Sequence, residues 1–143
     1  MSGVIPVSVY ANEIEKGYLR VSINNIEERY ECLVSNGKVY CLAEDLAKMT
    51  FYQYAEMENG LEYDFFREFG SEPENYRIEL QTQVNVKINK DKSIAEIKSM
   101  HETYTMTCFY ENEKLFLPVE ELLVLLHAQW IIENKIIYIS PMP

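Results

Sequence analysis

The chain has 143 residues, 48% hydrophobic and 25% charged, which suits one packed domain or two small lobes sharing a core and excludes a disordered chain. Thirteen basic residues stand against 23 acidic ones, and the resulting formal charge of −10 is spread along the chain. That balance disfavours nucleic acid and anionic membrane as partners, and no run approaches the ~18 apolar residues of a membrane span.

Residues 1–11 read as the remnant of an export leader or as a tag. Val4-Ile5-Pro6-Val7-Ser8-Val9-Tyr10-Ala11 is apolar, and Val9 and Ala11 occupy the −3 and −1 positions of a cleavage site before Asn12. A charged start and a full apolar stretch are missing, so an ordinary first strand is the competing reading. The first predicts a secreted or cell-surface protein, the second a cytoplasmic one.

A first unit covers 12–70. Asn36-Gly37 is a two-residue hairpin signal, because both positions tolerate positive φ. That turn sets Ser35 against Lys38, Val34 against Val39 and Cys32 against Cys41. A Cys32–Cys41 disulfide across the strands is one expectation, worth roughly 2–3 kcal/mol for so short a loop. Two small buried hydrophobes are the other. A short helix follows over about Ala43 to Thr50, with Glu44-Asp45 in its first turn, where the helix dipole favours acids.

Eleven tyrosines is a high count, and the aromatics concentrate after this helix: Phe51, Tyr52, Tyr54, Tyr63, Phe65, Phe66 and Phe69. As a strand, 61–69 cannot point Phe65 and Phe66 at one core. As a helix, it aligns Leu61, Phe65 and Phe69. The aromatics serve either as core or as a contact surface, for which Tyr52, Tyr54, Tyr63 and Phe66 are the candidate binding residues.

Residues 71–100 form a connecting hairpin. Gly70-Ser71-Glu72-Pro73-Glu74-Asn75 is a loop by composition. Ile78, Leu80, Val84, Val86 and Ile88 then alternate with polar residues, which predicts a long strand with one wet face. Asn89-Lys90-Asp91-Lys92 is a turn, and a return strand begins at Ser93.

The second unit covers 101–143. Shifted by 76 residues, Cys32 falls on Cys108, Asn36 on Asn112, Lys38 on Lys114, Glu44 on Glu120, Leu46 on Leu122 and Tyr54 on Trp130. Asn112-Glu113 is the weaker turn, since Glu resists positive φ. Pro118 suits a helix start, Glu120-Glu121 its first turn, and Leu122, Leu123, Leu125 and Leu126 demand burial. Lys135 to Ser140 closes the unit as a strand. The whole is an α+β fold of mainly antiparallel strands with two short helices, built from two similar strand-turn-strand-helix-strand units and forming one compact domain over 12–143.

The run Asn112-Glu113-Lys114-Leu115-Phe116-Leu117-Pro118-Val119, with the leucine-rich helix, Ala128-Gln129-Trp130, Asn134 and Ile136-Ile137-Tyr138-Ile139, resembles a repeat of the copper amine oxidase N-terminal-like (stalk) domain. The family's arginine after the proline is Glu120 here, its glycine after the helix is His127, and Leu42 stands where the first unit would carry the proline. The resemblance implies an accessory unit of exported or wall-associated proteins of Gram-positive bacteria. Copper and quinone chemistry belongs to other domains of that family, so no cofactor is implied.

Little points to chemistry. Three cysteines without C-x-x-C, and His101 and His127 far apart, are a poor inventory for zinc. His127 reads as a polar helix cap. No phosphate loop or nucleophile-base pattern occurs. The leading expectation is a non-catalytic exported module that binds a protein or a cell-envelope glycan. The alternative is an acidic inhibitor or immunity-type protein neutralising a basic partner. A small hydrolase with a spatially assembled site stands last.

Overall fold

The computed structural model describes residues 14–57, 60–66, 84–99 and 102–141. They form an α+β fold of mostly antiparallel strands with two short helices. Its larger sheet has seven strands: β1 (Glu15–Ile23), β2 (Ile26–Ser35), β3 (Lys38–Leu42), β9 (Phe109–Glu111), β10 (Lys114–Pro118), β11 (Ala128–Glu133) and β12 (Ile136–Pro141). Their spatial order is β11-β12-β1-β2-β3-β10-β9. The second sheet runs in chain order: β4 (Gln53–Glu56), β5 (Glu62–Phe66), β6 (Val84–Ile88), β7 (Ile94–Lys98) and β8 (Thr103–Thr107). Only β1 and β12 pair in parallel among the described strands.

Two-residue turns tie the larger sheet together. Asn24-Asn25, Asn36-Gly37, Asn112-Glu113 and Asn134-Lys135 all have positive φ at both positions, the geometry that matches the twist of adjoining strands. The expected register at Asn36-Gly37 is observed, with Ser35 facing Lys38 and Cys32 facing Cys41. All three cysteines are free thiols and buried, so the structure carries Cys32 and Cys41 as adjacent hydrophobes. The Asn24-Asn25 turn and the whole of β1 were not anticipated from the sequence.

The helices are α1 (Ala43–Met49) and α2 (Val119–Leu125). Each carries acids in its first turn as expected: Glu44 and Asp45 in α1, Glu120 and Glu121 in α2. Each follows a strand directly. Pro118 ends β10 and stands as the N-cap of α2, where a missing N–H costs little. The residue one step past each helix's C-cap has positive φ, Phe51 at 61° and His127 at 59°.

One face of the seven-stranded sheet presents Val21, Tyr30, Cys32, Cys41, Leu115, Leu117, Ile137 and Ile139. They pack against Leu46 and Met49 of α1 and Leu122 and Leu123 of α2. The second sheet adds Tyr63, Phe65, Val84, Val86, Ile88, Ala95 and Ile97, so one core spans both sheets. The opposite face of the larger sheet carries a separate cluster of Leu33, Tyr40, Leu42 and Phe116, with Phe109 edge-on to Tyr40.

β3 and β10 join the two halves of the chain. Cys41 faces Leu117, 76 positions on, with Leu42 facing Phe116 and Tyr40 facing Pro118 on either side. A salt bridge of 2.8 Å from Lys38 to Glu121 links the first hairpin to α2. The order strand, two-residue turn, strand, seven-residue helix, strand occurs in both halves. The closing strands diverge: β4 belongs to the second sheet and β11 to the larger one.

The described part of the 61–69 segment, 61–66, is a strand over 62–66 and not a helix. Phe65 points into the core and Phe66 to the other face, as a period of two requires. The alternation predicted from Ile78 is seen over 84–88, with Val84, Val86 and Ile88 buried; 78–83, Phe69 and residues 1–11 lie outside the described residues.

Candidate functional site

Where the two sheets meet beside α1, a cleft of about 350 Å³ is lined by Leu42, Glu44, Tyr54, Glu56, Tyr63, Glu113, Lys114 and Leu115. Four local features place these groups. Glu44 sits in the first turn of α1 because the acid suits the helix N-terminus. Glu113 is the second residue of the hairpin turn before β10 and is exposed. Lys114 and Leu115 begin β10. Tyr54 and Glu56 lie two apart on β4 and so share a face.

β4 pairs with β5 so that Tyr54 faces Phe65 and Glu56 faces Tyr63. The diagonal pair Tyr54–Tyr63 then stacks, with ring centroids 5.6 Å apart and planes 7° from parallel. Phe65 supports Tyr54 from the core side, edge-on at 5.2 Å. The Tyr63 hydroxyl donates to the Gly60 carbonyl at 2.8 Å, which fixes the ring. Burial, followed by hydrogen bonding with Tyr110 and Glu56, pushes the Tyr63 phenol well above the usual tyrosine range. Burial, followed by Tyr63, Glu56 and Glu44, does the same to Tyr54. Both rings are therefore neutral at physiological pH, and the charge of the cleft comes from three glutamates against one lysine.

A cation already rests on an aromatic face nearby. Lys92 Nζ lies 4.2 Å from the centroid of Tyr110, the tyrosine that hydrogen-bonds with Tyr63. Electron-rich faces of neutral tyrosines attract cations in this way.

No family model, no curated protein and no solved structure matches this chain.

Of the four candidate binding residues, Tyr54 and Tyr63 come together here. Tyr63 at 3% exposed and Tyr52 at 6% are both core residues, but Tyr63 forms part of the cleft wall beside the half-buried Tyr54, whereas Tyr52 does not line the cleft. Phe66 lies on the opposite face of the second sheet, opposite Gln53. The exposed aromatic of this region is instead Phe51, 58% exposed, beside Val21, Ile23, Ile26 and Tyr30. Glu56, Glu113 and Lys114 were not singled out as binding groups from sequence. Glu56 had a signal: once 53–56 is a strand, it must share a face with Tyr54. Glu113 and Lys114 had none, since their approach depends on β10 pairing with β3.

Among the described residues no histidine, cysteine or serine lines the cleft, and no group of three His, Cys, Asp or Glu gathers as a metal site. His127 is exposed at the end of α2, its backbone N–H donating to the Val124 carbonyl at 3.1 Å, consistent with a helix-terminal residue. The arrangement can hold a cationic, partly apolar group between carboxylates and a tyrosine face.

Proposed function

We propose that this chain is a non-catalytic binding module that engages a partner protein through a lysine or arginine side chain seated in the Tyr54–Tyr63 cleft. The observation that carries the reading is the stacked, neutral tyrosine pair walled by Glu44, Glu56 and Glu113. A carboxylate rim supplies charge, and the ring face supplies a desolvated contact that a neutral ligand would not reward. As part of the same proposal, the module belongs to an exported protein of a Gram-positive envelope and arose by duplication of one unit. The leader-like pattern of residues 1–11 and the stalk-domain resemblance of the second unit support export. The 76-residue offset between Cys41 and Leu117, paired at the centre of the β3–β10 contact, supports duplication.

The test is a titration with N-acetyl-lysine amide and N-acetyl-arginine amide, with N-acetyl-norleucine amide as the neutral control, read from tyrosine ring resonances. The cationic probes should shift Tyr54 and Tyr63 and the neutral one should not. Glu56→Gln should weaken binding by about 0.5–1 kcal/mol, the range for one partly exposed charge. Equal binding of the neutral probe would refute the reading.

The alternative, an immunity-type protein that neutralises a basic partner, draws on the net charge of −10. It predicts that affinity for a basic protein falls steeply with salt, whereas a cleft contact with one cation predicts a shallow dependence.

A further inference from the structure

Four strands are sheet edges among the described residues: β11 and β9 in the larger sheet, β4 and β8 in the second. Three of them look guarded. β9 has three residues, all half-buried, with Lys92 laid over its Tyr110 and Lys16 paired to its Glu111 at 3.0 Å. β4 has four residues and ends on Glu56. β8 is Thr-Tyr-Thr-Met-Thr. Short length, charge and polarity are the usual ways a protein keeps an edge from pairing with another chain.

β11 is the longest of the four and the least guarded, its polar groups being Gln129 and the terminal Glu133, which share one face. Six residues long, it reads Ala-Gln-Trp-Ile-Ile-Glu, without proline, glycine or lysine. Ile131 is 57% exposed and Ile132 54%, on opposite faces of the strand. Tyr138 lies beside Ile131 on β12 and is also exposed. A strand laid along this edge would satisfy its backbone groups and find an apolar side chain on both faces.

The sequence of β11 is compatible with its own copy. We propose that two copies of this chain associate edge to edge along β11, antiparallel, about a two-fold axis through Ile131. In that register Ile131 faces its symmetry mate, and Trp130 faces Ile132 on the core side. Gln129 faces Glu133 on the open side. No like charges are opposed, and both exposed isoleucines are covered. Centring on Ile132 instead would set Ile131 against Glu133. Centring on Trp130 would leave Glu133 beyond the paired segment. The Ile131 register thus uses the strand's chemistry best. The contact is independent of the tyrosine cleft and shares no residue with it.

Trp130 is the chain's single tryptophan, so its fluorescence reports on this edge alone. Sedimentation velocity of the full chain should show reversible dimerisation between about 5 and 500 µM, the range expected of a small, weak interface. Trp130 emission should shift to shorter wavelength over the same range. Ile131→Lys should abolish both changes while leaving the melting temperature unaltered, because it opposes two lysines at the axis. Gln129→Lys should tighten the dimer about threefold to tenfold through two new pairs with Glu133, and Gln129→Glu should loosen it similarly. Tyr104→Lys on β8 should change nothing. A monomer at every concentration, a dimer that survives Ile131→Lys, or the two Gln129 variants moving in the same direction would each overturn the proposal.

Discussion

Asparagine opens each of the four two-residue hairpin turns of the larger sheet, at 24, 36, 112 and 134. Its short side chain tolerates the left-handed region better than most. The second turn position varies, and there the strain differs. Gly37 holds φ 78° freely, while Glu113 is driven to 63°. A non-glycine residue in that region loses roughly 1–2 kcal/mol. Glu113→Gly should therefore stabilise the fold by about 1 kcal/mol, or roughly 3 °C in melting temperature for a domain of this size. It should also weaken a cationic probe in the cleft, because it removes one of three carboxylates. A chemical melt and the probe titration read the two effects separately, and a destabilised Glu113→Gly would show that the Glu113 side chain makes a compensating contact.

The cysteines are also a residue-scale matter. Burial pushes the Cys108 thiol up to about 11 and the Cys41 thiol further still, with Cys32 raised too. Thiols, not thiolates, are then present at neutral pH, and the thiolate is the reactive form. Alkylation of the folded protein at pH 7.5 should be slow at all three positions, and denaturation without reductant should release three reactive thiols. Two fewer would mean that Cys32 and Cys41, which face each other across β2 and β3, are bonded.

At the scale of elements, local chemistry made one half of the fold legible. Asn36-Gly37 announced its hairpin, the acids and Pro118 announced the helix starts, and 84–88 showed its period of two. The 61–66 stretch was ambiguous because a short aromatic run fits either period. Pairing with β4 and β6 decides it. Sheet membership was not legible, since β12 joins β1 in parallel only after most of the chain has been laid down. The candidate site shares that limit: Tyr54 and Tyr63 were visible as aromatics, but Glu113 reaches them only through β10. Phe65, fully buried between β4 and the core, is the element-scale test of the aromatic segment. Phe65→Ala should destabilise by about 3–5 kcal/mol. Phe66→Ala, on the far face, should lose much less. Equal losses would contradict the strand assignment.

The charge of the whole molecule joins the two proposals and separates them. With −10 overall, approach of a second copy is opposed at long range, whereas approach of a cation is favoured. Screening at about 0.15 M salt acts beyond ~8 Å, so added salt should strengthen the β11 dimer and weaken cation binding in the cleft. Acid adds a second, sharper lever through Asp45. Burial, then Glu44, raises its carboxyl above the usual 3.8. A group raised in the folded state contributes stability that is present below the unfolded value and lost as pH rises through the folded one. At pH 7 the ionised Asp45 is therefore a burden that Lys48 and Lys114 only partly relieve. Asp45→Asn should raise the melting temperature at pH 7, and that advantage should shrink as pH falls toward 3.8 and vanish below it. A variant that is no more stable than the parent at pH 7 would show that the α1 dipole, which favours an acid in its first turn, outweighs the burial.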